Sequence, residues 1–348
     1  MVHASPVTAL SPLPDEAVRG RLSLADADRL GVTRTELRSA LWRSPHRGIH
    51  VFGPAPELST QGTGQSLPVD RILDAAALLP GDGAVGGWAA AHLLDTPFHD
   101  GVGADGRTAL TIPLLVPAPR RPRPRTGITW VRGNLDTSDV VSVGGLRVTS
   151  PVRTAFGVAR DITGKALGSK ARLEAGVVSL DAVLHAGLVS RPQLAQELRR
   201  RTRWPGIGIA RRAWDLADAR AESPQESRLR LVWVLGGLPM PHVNVPVFDR
   251  DGRHLATPDL FDEESALALE YDGAHHRALR RQARDNVRAE GLEAHGVTVL
   301  RVTGLDLPDA SGRLFLRLVA ARARGLERDR SKDKWLIHPD LSGPPSRW

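Results

Sequence analysis

The stretch ALALEYDGAHH, residues 266–276, runs four small or apolar residues straight into Glu270, Tyr271, Asp272, Gly273 and two histidines. Carboxylates at the end of an apolar strand are costly to bury unless something positive meets them. A metal ion, an arginine or a ring of backbone amides would each serve, and which one does so decides whether the chain is an enzyme. The flanking segments supply a frame. SPQESRLRLVWVLGGLP (223–239) reads as a helix of about three turns, closed by Gly236–Gly237 and Pro239. VNVPVFDRDGRHLATPDLFD (243–262) places Asp251–Gly252, a tight-hairpin signal, between alternating strands. ALALEYD is a third strand, residues 277–294 a helix, VTVLRV a buried strand and SGRLFLRLVAARARG a final helix. The expected order is α-β-β-β-α-β-α.

In that order Asp259 falls near the end of the second strand and Glu270 near the end of the third. Neighbouring strands lie about 4.8 Å apart, so two carboxylates on adjacent strand ends can grip one hard cation. Mg²⁺ (or Mn²⁺) suits such a pair, keeping several waters for substrate and neutralising charge at a scissile phosphate. Glu226 on the preceding helix can reach the same place to orient a water or second ion. The competing reading pairs Glu270 and Asp272 with Arg288 or Arg301 for packing alone, since structural ion pairs perturb charged groups too.

Glu226, Pro258–Asp259 and Glu270-Tyr271-Asp272-Gly273 followed by His276 resemble the PD-(D/E)XK nuclease superfamily, in the branch related to very-short-patch-repair endonucleases. Asp285, Arg288, Gly296 and VLRVT at 299–303 agree with it. The resemblance spans roughly 222–308. It implies a restriction-endonuclease-like core with metal-dependent phosphodiester cleavage as its ancestral chemistry. The chain departs from the superfamily at Asp272, where most members have lysine, and no lysine occurs between Lys170 and Lys332. The water must then be supported by His276, His275 or an arginine. The repair-endonuclease branch also dispenses with that lysine and uses histidine. Asp272 is either a further ligand or the group that holds His276 in one tautomer. An inactive, DNA-binding relic of the nuclease is the other outcome. Arg277, Arg280, Arg281, Arg284 and Arg288 recur at helical spacing, as a solvated face or as a stripe along a phosphate backbone.

A different pattern opens the chain. GRLSLADADRLGVTRTELRSALWR (20–43) reads as two short helices about Gly31, the first capped by Ser23, the second begun by a Thr33–Glu36 capping box. HRGIHVF (46–52) follows as a β-wing, giving a winged helix-turn-helix over 1–53. Arg34 and Arg38 then lie one turn apart, facing a major groove, with Arg47 in the wing on phosphate. The alternative is a winged helix that binds protein or supports the next domain. LGVTRTELRSALWR and HRGIHVF resemble the N-terminal domain of AbiEi-type antitoxins of type IV toxin–antitoxin systems, and LRVTSPVRTAFGVAR resembles a stretch of their second domain. That resemblance implies DNA binding, repression of the protein's own promoter, and a cognate toxin as partner.

Between these ends, 54–68 has linker composition and 69–220 is expected to be a mixed α/β middle domain. There VDRILDAAALLP and AVGGWAAAHLLDTP read as helices, TALTIPLLVP and GITWVRG as strands, and VVSVGGLRVTS as a hairpin. APRRPRPRTG (118–127) sets four arginines among prolines, a solvated loop or a phosphate contact. Helices follow, with one break at Pro205. The endonuclease-like domain is expected over 221–325, and 326–348 as a disordered tail. The fold class is therefore multidomain α+β or α/β.

Composition sets outer limits. The 348 residues include no cysteine, which excludes disulfides and thiolate zinc sites. No apolar run approaches the roughly 20 residues of a membrane span, so a cytoplasmic, non-membrane protein is expected. Arginines number 43 against four lysines, for a net charge of +8. The excess lies upstream: residues 1–220 hold 28 basic and 20 acidic side chains, residues 221–330 hold 16 and 17. The arginine bias itself reads as genome base composition, while the net charge favours nucleic acid or other anionic partners.

Overall fold

The structure is a computed structural model that describes residues 20–53, 66–160, 168–272, 289–307 and 310–337. It is mixed α/β with several sheets, none closed into a barrel among the described residues. No described helix is long and apolar enough to cross a membrane. The chain divides into two compact units, Met1–Leu94 with His99–Thr154, and Asp95–Phe98 with Ala155–Trp348. The helices described within 155–160 and 168–220 therefore cluster with the C-terminal segment.

The first unit begins with β1 (Arg21–Ser23), α1 (Leu24–Arg29), β2 (Trp42–His46) and β3 (Ile49–Phe52), the strands forming an antiparallel sheet in the order β1-β3-β2. Ser23 caps α1 in a box with Asp26. The Thr33–Glu36 box is also made: the Thr33 N–H donates to Glu36 Oε2 at 2.7 Å and the Glu36 N–H to Thr33 Oγ1 at 3.2 Å. It closes one 3₁₀ turn, Glu36–Arg38, in place of the expected second helix. The reason is packing. Leu37 and Trp42 both enter a small core with Leu22, Ala27 and Val32. Five residues apart on an α-helix they would point about 140° from each other, so the chain leaves the helical path at Ser39, which is extended.

The same unit holds α2 (Ser66–Ala76), β4 (Ala84–Val85), α3 (Gly87–Leu93), β5 (Ile112–Val116), β6 (Ile128–Arg132), β7 (Val140–Val143) and β8 (Leu146–Thr149). The strands form a five-stranded mixed sheet, β6-β5-β4-β8-β7, with the expected β7–β8 hairpin at one edge. Ala84–Val85, expected to be helical, is a strand. Gly87, at φ 55°, makes the turn into α3, and Gly86 before it packs against the Leu115 side chain, where a Cβ would sit 2.2 Å away. Ile72, Trp88, Ala89, Leu114 and Val148 share the core. Arg21 and Arg43 join Asp74 of α2 at 2.8 and 2.5 Å, and Arg21 also meets Asp70 at 3.0 Å.

Helix α4 (Pro151–Ala159) leads from this unit into the second. The second unit continues with α5 (Ser169–His185), α6 (Arg191–Arg200), α7 (Ile207–Leu216) and α8 (Pro224–Leu235). Besides the break around Pro205 there is one before α6, where Gly187 takes φ 66° and Ser190 caps the next helix with Gln193. Helices α5 and α8 are joined by a buried ion pair. Arg230 lies 2.5 Å from Asp181, which also accepts from Ser227 Oγ at 2.6 Å and the Asp218 N–H at 2.8 Å.

The strands of this unit are β9 (His242–Val243), β10 (Val247–Asp249), β11 (His254–Ala256), β12 (Leu260–Asp262), β13 (Leu267–Asp272), β14 (Thr298–Thr303) and β15 (Trp335–Ile337), with α9 (Phe315–Leu326) before the last. One sheet runs β14-β13-β12-β9, antiparallel except for the parallel pair β13–β14. Side chains alternate across it. Leu267 and Leu269 pack with Leu229 and Trp233 of α8 and Leu318 of α9. Ala268 packs with Phe261, Val247 and Val297 on the other face. The second sheet is β11-β10-β15. Its third strand corrects the expectation of a disordered tail from 326. Val247 pairs with Ile337, and Trp335 meets Phe261 edge-on at 5.0 Å between centroids. An aromatic and two aliphatic residues, WLI, are enough to complete an open edge.

Candidate functional site

The register of β12 and β13 places the two expected metal ligands. Leu260 pairs with Leu269, so one step further Asp259 stands opposite Glu270. Directly opposite residues of an antiparallel pair share a face, with Cβ atoms about 4.5–5.5 Å apart. Asp259 lies one residue before β12 and Glu270 two residues before the end of β13, and both are partly shielded, Glu270 with 13% of its side chain exposed. The Tyr271 N–H donates to Asp259 Oδ2 at 2.5 Å, which draws that carboxylate across to the third strand. On the other side β14 places Arg301 opposite Glu270, with Arg301 Nε 3.8 Å from Glu270 Oε2. That is an electrostatic contact beyond hydrogen-bond range. The arginine reading of the opening motif is thus present in part, and an amide also meets Asp259.

Glu226 sits in the first turn of α8, 8% exposed. Its Oε2 accepts from the Glu222 N–H at 2.9 Å and from Asn244 Nδ2 at 2.7 Å. Asn244 is the residue that sequence reading missed. It adopts φ 45°, a left-handed conformation that asparagine tolerates better than most residues. Its Nδ2 also donates to the Arg220 carbonyl at 2.7 Å, and its own N–H donates to the Asp259 carbonyl at 3.1 Å. Glu226 therefore acts on Asp259 through Asn244. Glu226 and the Asp259 backbone are thus linked by hydrogen bonds through Asn244.

Asp272 ends β13 opposite Thr303, two residues beyond Glu270 and so on the same face. Tyr271 points the other way, its hydroxyl over Gly304, where a Cβ would lie 3.1 Å away. Burial pushes its phenol above the usual range. His275, His276, Arg277, Arg280, Arg281, Arg284, Asp285 and Arg288 lie outside the described residues. Of the helix expected over 277–294, the described part, 289–294, is helical.

Among the described residues no group of three or more His, Asp or Glu side chains forms a metal site. Two carboxylates on one face are nevertheless a donor set that Mg²⁺ accepts, the remaining positions going to water and substrate. A carboxylate has about four lone-pair directions, so the Tyr271 N–H bond to Asp259 is compatible with a cation.

In the first unit Arg34, Arg38 and Arg47 are all exposed. Arg34 precedes the 3₁₀ turn, Arg38 ends it, and Arg47 occupies the β2–β3 turn. Without a second helix, Arg34 and Arg38 do not share an α-helical face.

No known family profile matches the chain, and no solved structure matches it. Two proteins of Mycobacterium tuberculosis do, "Uncharacterized protein Rv2248" from strain ATCC 25618 / H37Rv and "Uncharacterized protein MT2308" from strain CDC 1551 / Oshkosh. Each is 30% identical over 233 residues, which span 66% of this chain and 78% of the mycobacterial one. At that identity and coverage, the chain belongs to the same family as these two mycobacterial proteins.

Proposed function

We propose that the second unit is a metal-dependent DNA endonuclease-like module within a DNA-binding protein, hydrolysing phosphodiesters. The observation that carries the reading is the ladder register that sets Asp259 against Glu270 at one end of the β14-β13-β12-β9 sheet. In that sheet α8 precedes β9, β12 and β13, and β14 runs parallel to β13, which supports a restriction-endonuclease-like core, although β10 and β11, expected in the same meander, pair in a separate sheet. Asp259 and Glu270 would hold Mg²⁺ or Mn²⁺, whose chemistry is to polarise a phosphoryl oxygen and acidify a bound water. Asn244, fixed by Glu226, sets the height of the Asp259 backbone. Arg301 lies beside Glu270, placed to steady a phosphate oxygen. His276 is assigned the proton transfer by resemblance alone.

The test is incubation of the purified full chain with supercoiled and single-stranded DNA in Mg²⁺ or Mn²⁺. Cleavage is expected, and Asp259→Ala or Glu270→Ala should each reduce it at least 100-fold. Nicking that survives both substitutions removes the assignment.

A second reading is favoured by the contacts themselves. Arg301 beside Glu270 and the Tyr271 amide on Asp259 give both carboxylates partners without an ion. The protein would then be a DNA-binding repressor of the AbiEi kind, with a nuclease fold that has lost its chemistry and with a toxin as partner. It predicts promoter binding weakened by Arg34→Ala/Arg38→Ala, and no cleavage with any metal. Promoter affinity unchanged in that double variant counts against it.

A further inference from the structure

The first unit carries a basic feature distinct from Arg34, Arg38 and Arg47. Arg120, Arg121, Arg123 and Arg125, from the loop between β5 and β6, line an open cavity of about 480 Å³ together with Trp130 of β6. Leu78, Leu79 and Val116 supply apolar lining. The volume falls within the roughly 300–1,000 Å³ of small-ligand sites. Among the described residues no carboxylate lines it; Asp82 pairs with Arg120 at 2.9 Å.

Three details make this a built surface. Pro117, Pro119, Pro122 and Pro124 alternate with the arginines. Each fixes its own φ, so the loop has less freedom to lose when a ligand arrives. Trp130 packs against the core of the unit and also lines the cavity, and its indole N–H donates to the Arg123 carbonyl at 3.0 Å. The ring is thereby fixed relative to the arginine loop. Arg121 folds onto the Ala118 carbonyl at 2.7 Å, whereas the guanidinium groups of Arg123 and Arg125 make no hydrogen bond or ion pair among the described residues.

An indole ring beside guanidinium groups that have no hydrogen-bond partner among the described residues suits a ligand with a planar ring and a nearby anion. A nucleotide unit has both. In a duplex the base faces are stacked on their neighbours and out of reach of the indole, whereas a single strand offers them. We propose that this cavity binds single-stranded DNA, one base lying on Trp130 and the adjoining phosphates meeting Arg123 and Arg125. The site uses none of the carboxylates of the second unit, so it stands or falls apart from the hydrolase reading.

The probe is a fluorescently labelled oligo-dT 12-mer, titrated with the full-length protein and followed by anisotropy at several salt concentrations. Base–aromatic stacking is worth about 1–3 kcal/mol per base, so Trp130→Leu should weaken binding about 5- to 150-fold, and Trp130→Phe should retain most of it. Arg123→Ala/Arg125→Ala should lower affinity and flatten the salt dependence by about 0.7 in log–log slope for each phosphate no longer neutralised. Unchanged affinity in Trp130→Leu overturns the proposal, as does an unchanged salt slope in the arginine pair. If Trp130→Leu fails to fold, the arginine pair, exposed at Arg123 and partly buried at Arg125, decides alone. Equal competition by a duplex of the same sequence, or by free thymidine monophosphate at matched nucleotide concentration, also overturns it.

Discussion

Asn244 gives the sharpest test of how the candidate site is held. Replacing it with alanine removes a hydrogen bond to the Glu226 carboxylate, worth about 1.5–3 kcal/mol, and one to the Arg220 carbonyl, worth about 0.5–1.5 kcal/mol. Alanine must also occupy φ 45°, at a cost of about 1–2 kcal/mol. The sum is about 3–6 kcal/mol, against the 5–15 kcal/mol of a typical domain. Glycine loses the same two bonds but escapes the backbone strain, so Asn244→Gly should be milder than Asn244→Ala by about 1 kcal/mol. The reporter is the Tyr271 amide, whose acceptor is the Asp259 carboxylate and whose protection depends on the segment that Asn244 anchors. Hydrogen–deuterium exchange of the full-length protein should show that amide opening about 10²–10⁴-fold faster in Asn244→Ala, each tenfold being 1.4 kcal/mol. Global unfolding sets the ceiling. Exchange at Tyr271 unchanged in both variants, or faster in glycine than in alanine, refutes the linkage from Glu226 through Asn244 to Asp259.

Three other outcomes are expected. Gly325→Ala would bring a Cβ to 2.1 Å from the Ser265 carbonyl oxygen, which is backbone and cannot swing away; a loss of about 1–3 kcal/mol should lower the melting temperature by several degrees, and an unaltered melting curve contradicts it. Asp74→Ala leaves Arg21 and Arg43 without their shared carboxylate; limited proteolysis should cut the N-terminal sheet faster, by the weight of about 3 kcal/mol for a shielded pair broken on one side, and an unchanged digestion rate rejects that docking. Burial pushes the Asp181 carboxyl up to about 6, against the opposing pull of Arg230, Ser227 and the Asp218 N–H. A carboxyl raised by folding stabilises while protonated, fully below about pH 4, and loses that contribution as pH rises through about 6. The stability of the parent relative to Asp181→Asn should therefore fall between pH 4 and 6 in denaturant titrations. A rise over that window would mean that the attraction to Arg230 outweighs desolvation.

The second unit was the more legible from its residues. The Asp251–Gly252 turn, the apolar alternation of ALALEYD and the glycine stop after Leu235 are local signals, and each corresponds to an observed element. Asp259 and Glu270 fell opposite one another because strand register follows from the same alternation. What escaped was set by partners distant in sequence. The Arg230–Asp181 pair joins residues 49 apart, and nothing in either helix marks them. Asn244 is a lone asparagine between valines, and only its φ and its contact with Glu226 reveal it. In the first unit the Thr33–Glu36 signal was real, but a capping box fixes how a turn begins and not how far it continues. Leu37 and Trp42 settled that by entering the same core. Ala84–Val85 was misread because its pairing on β5 and β8 outweighs the helix preference of the alanines that follow.

The short strand Trp335–Ile337 has a practical bearing on anyone trimming this protein. It covers the flank of β10 opposite β11. A version ending before Trp335 would leave β10 with a bare rim of amide donors and carbonyl acceptors, the surface onto which foreign strands graft themselves. Removing a dozen or so apparently dispensable residues should turn a dispersed preparation into one that self-associates with rising concentration.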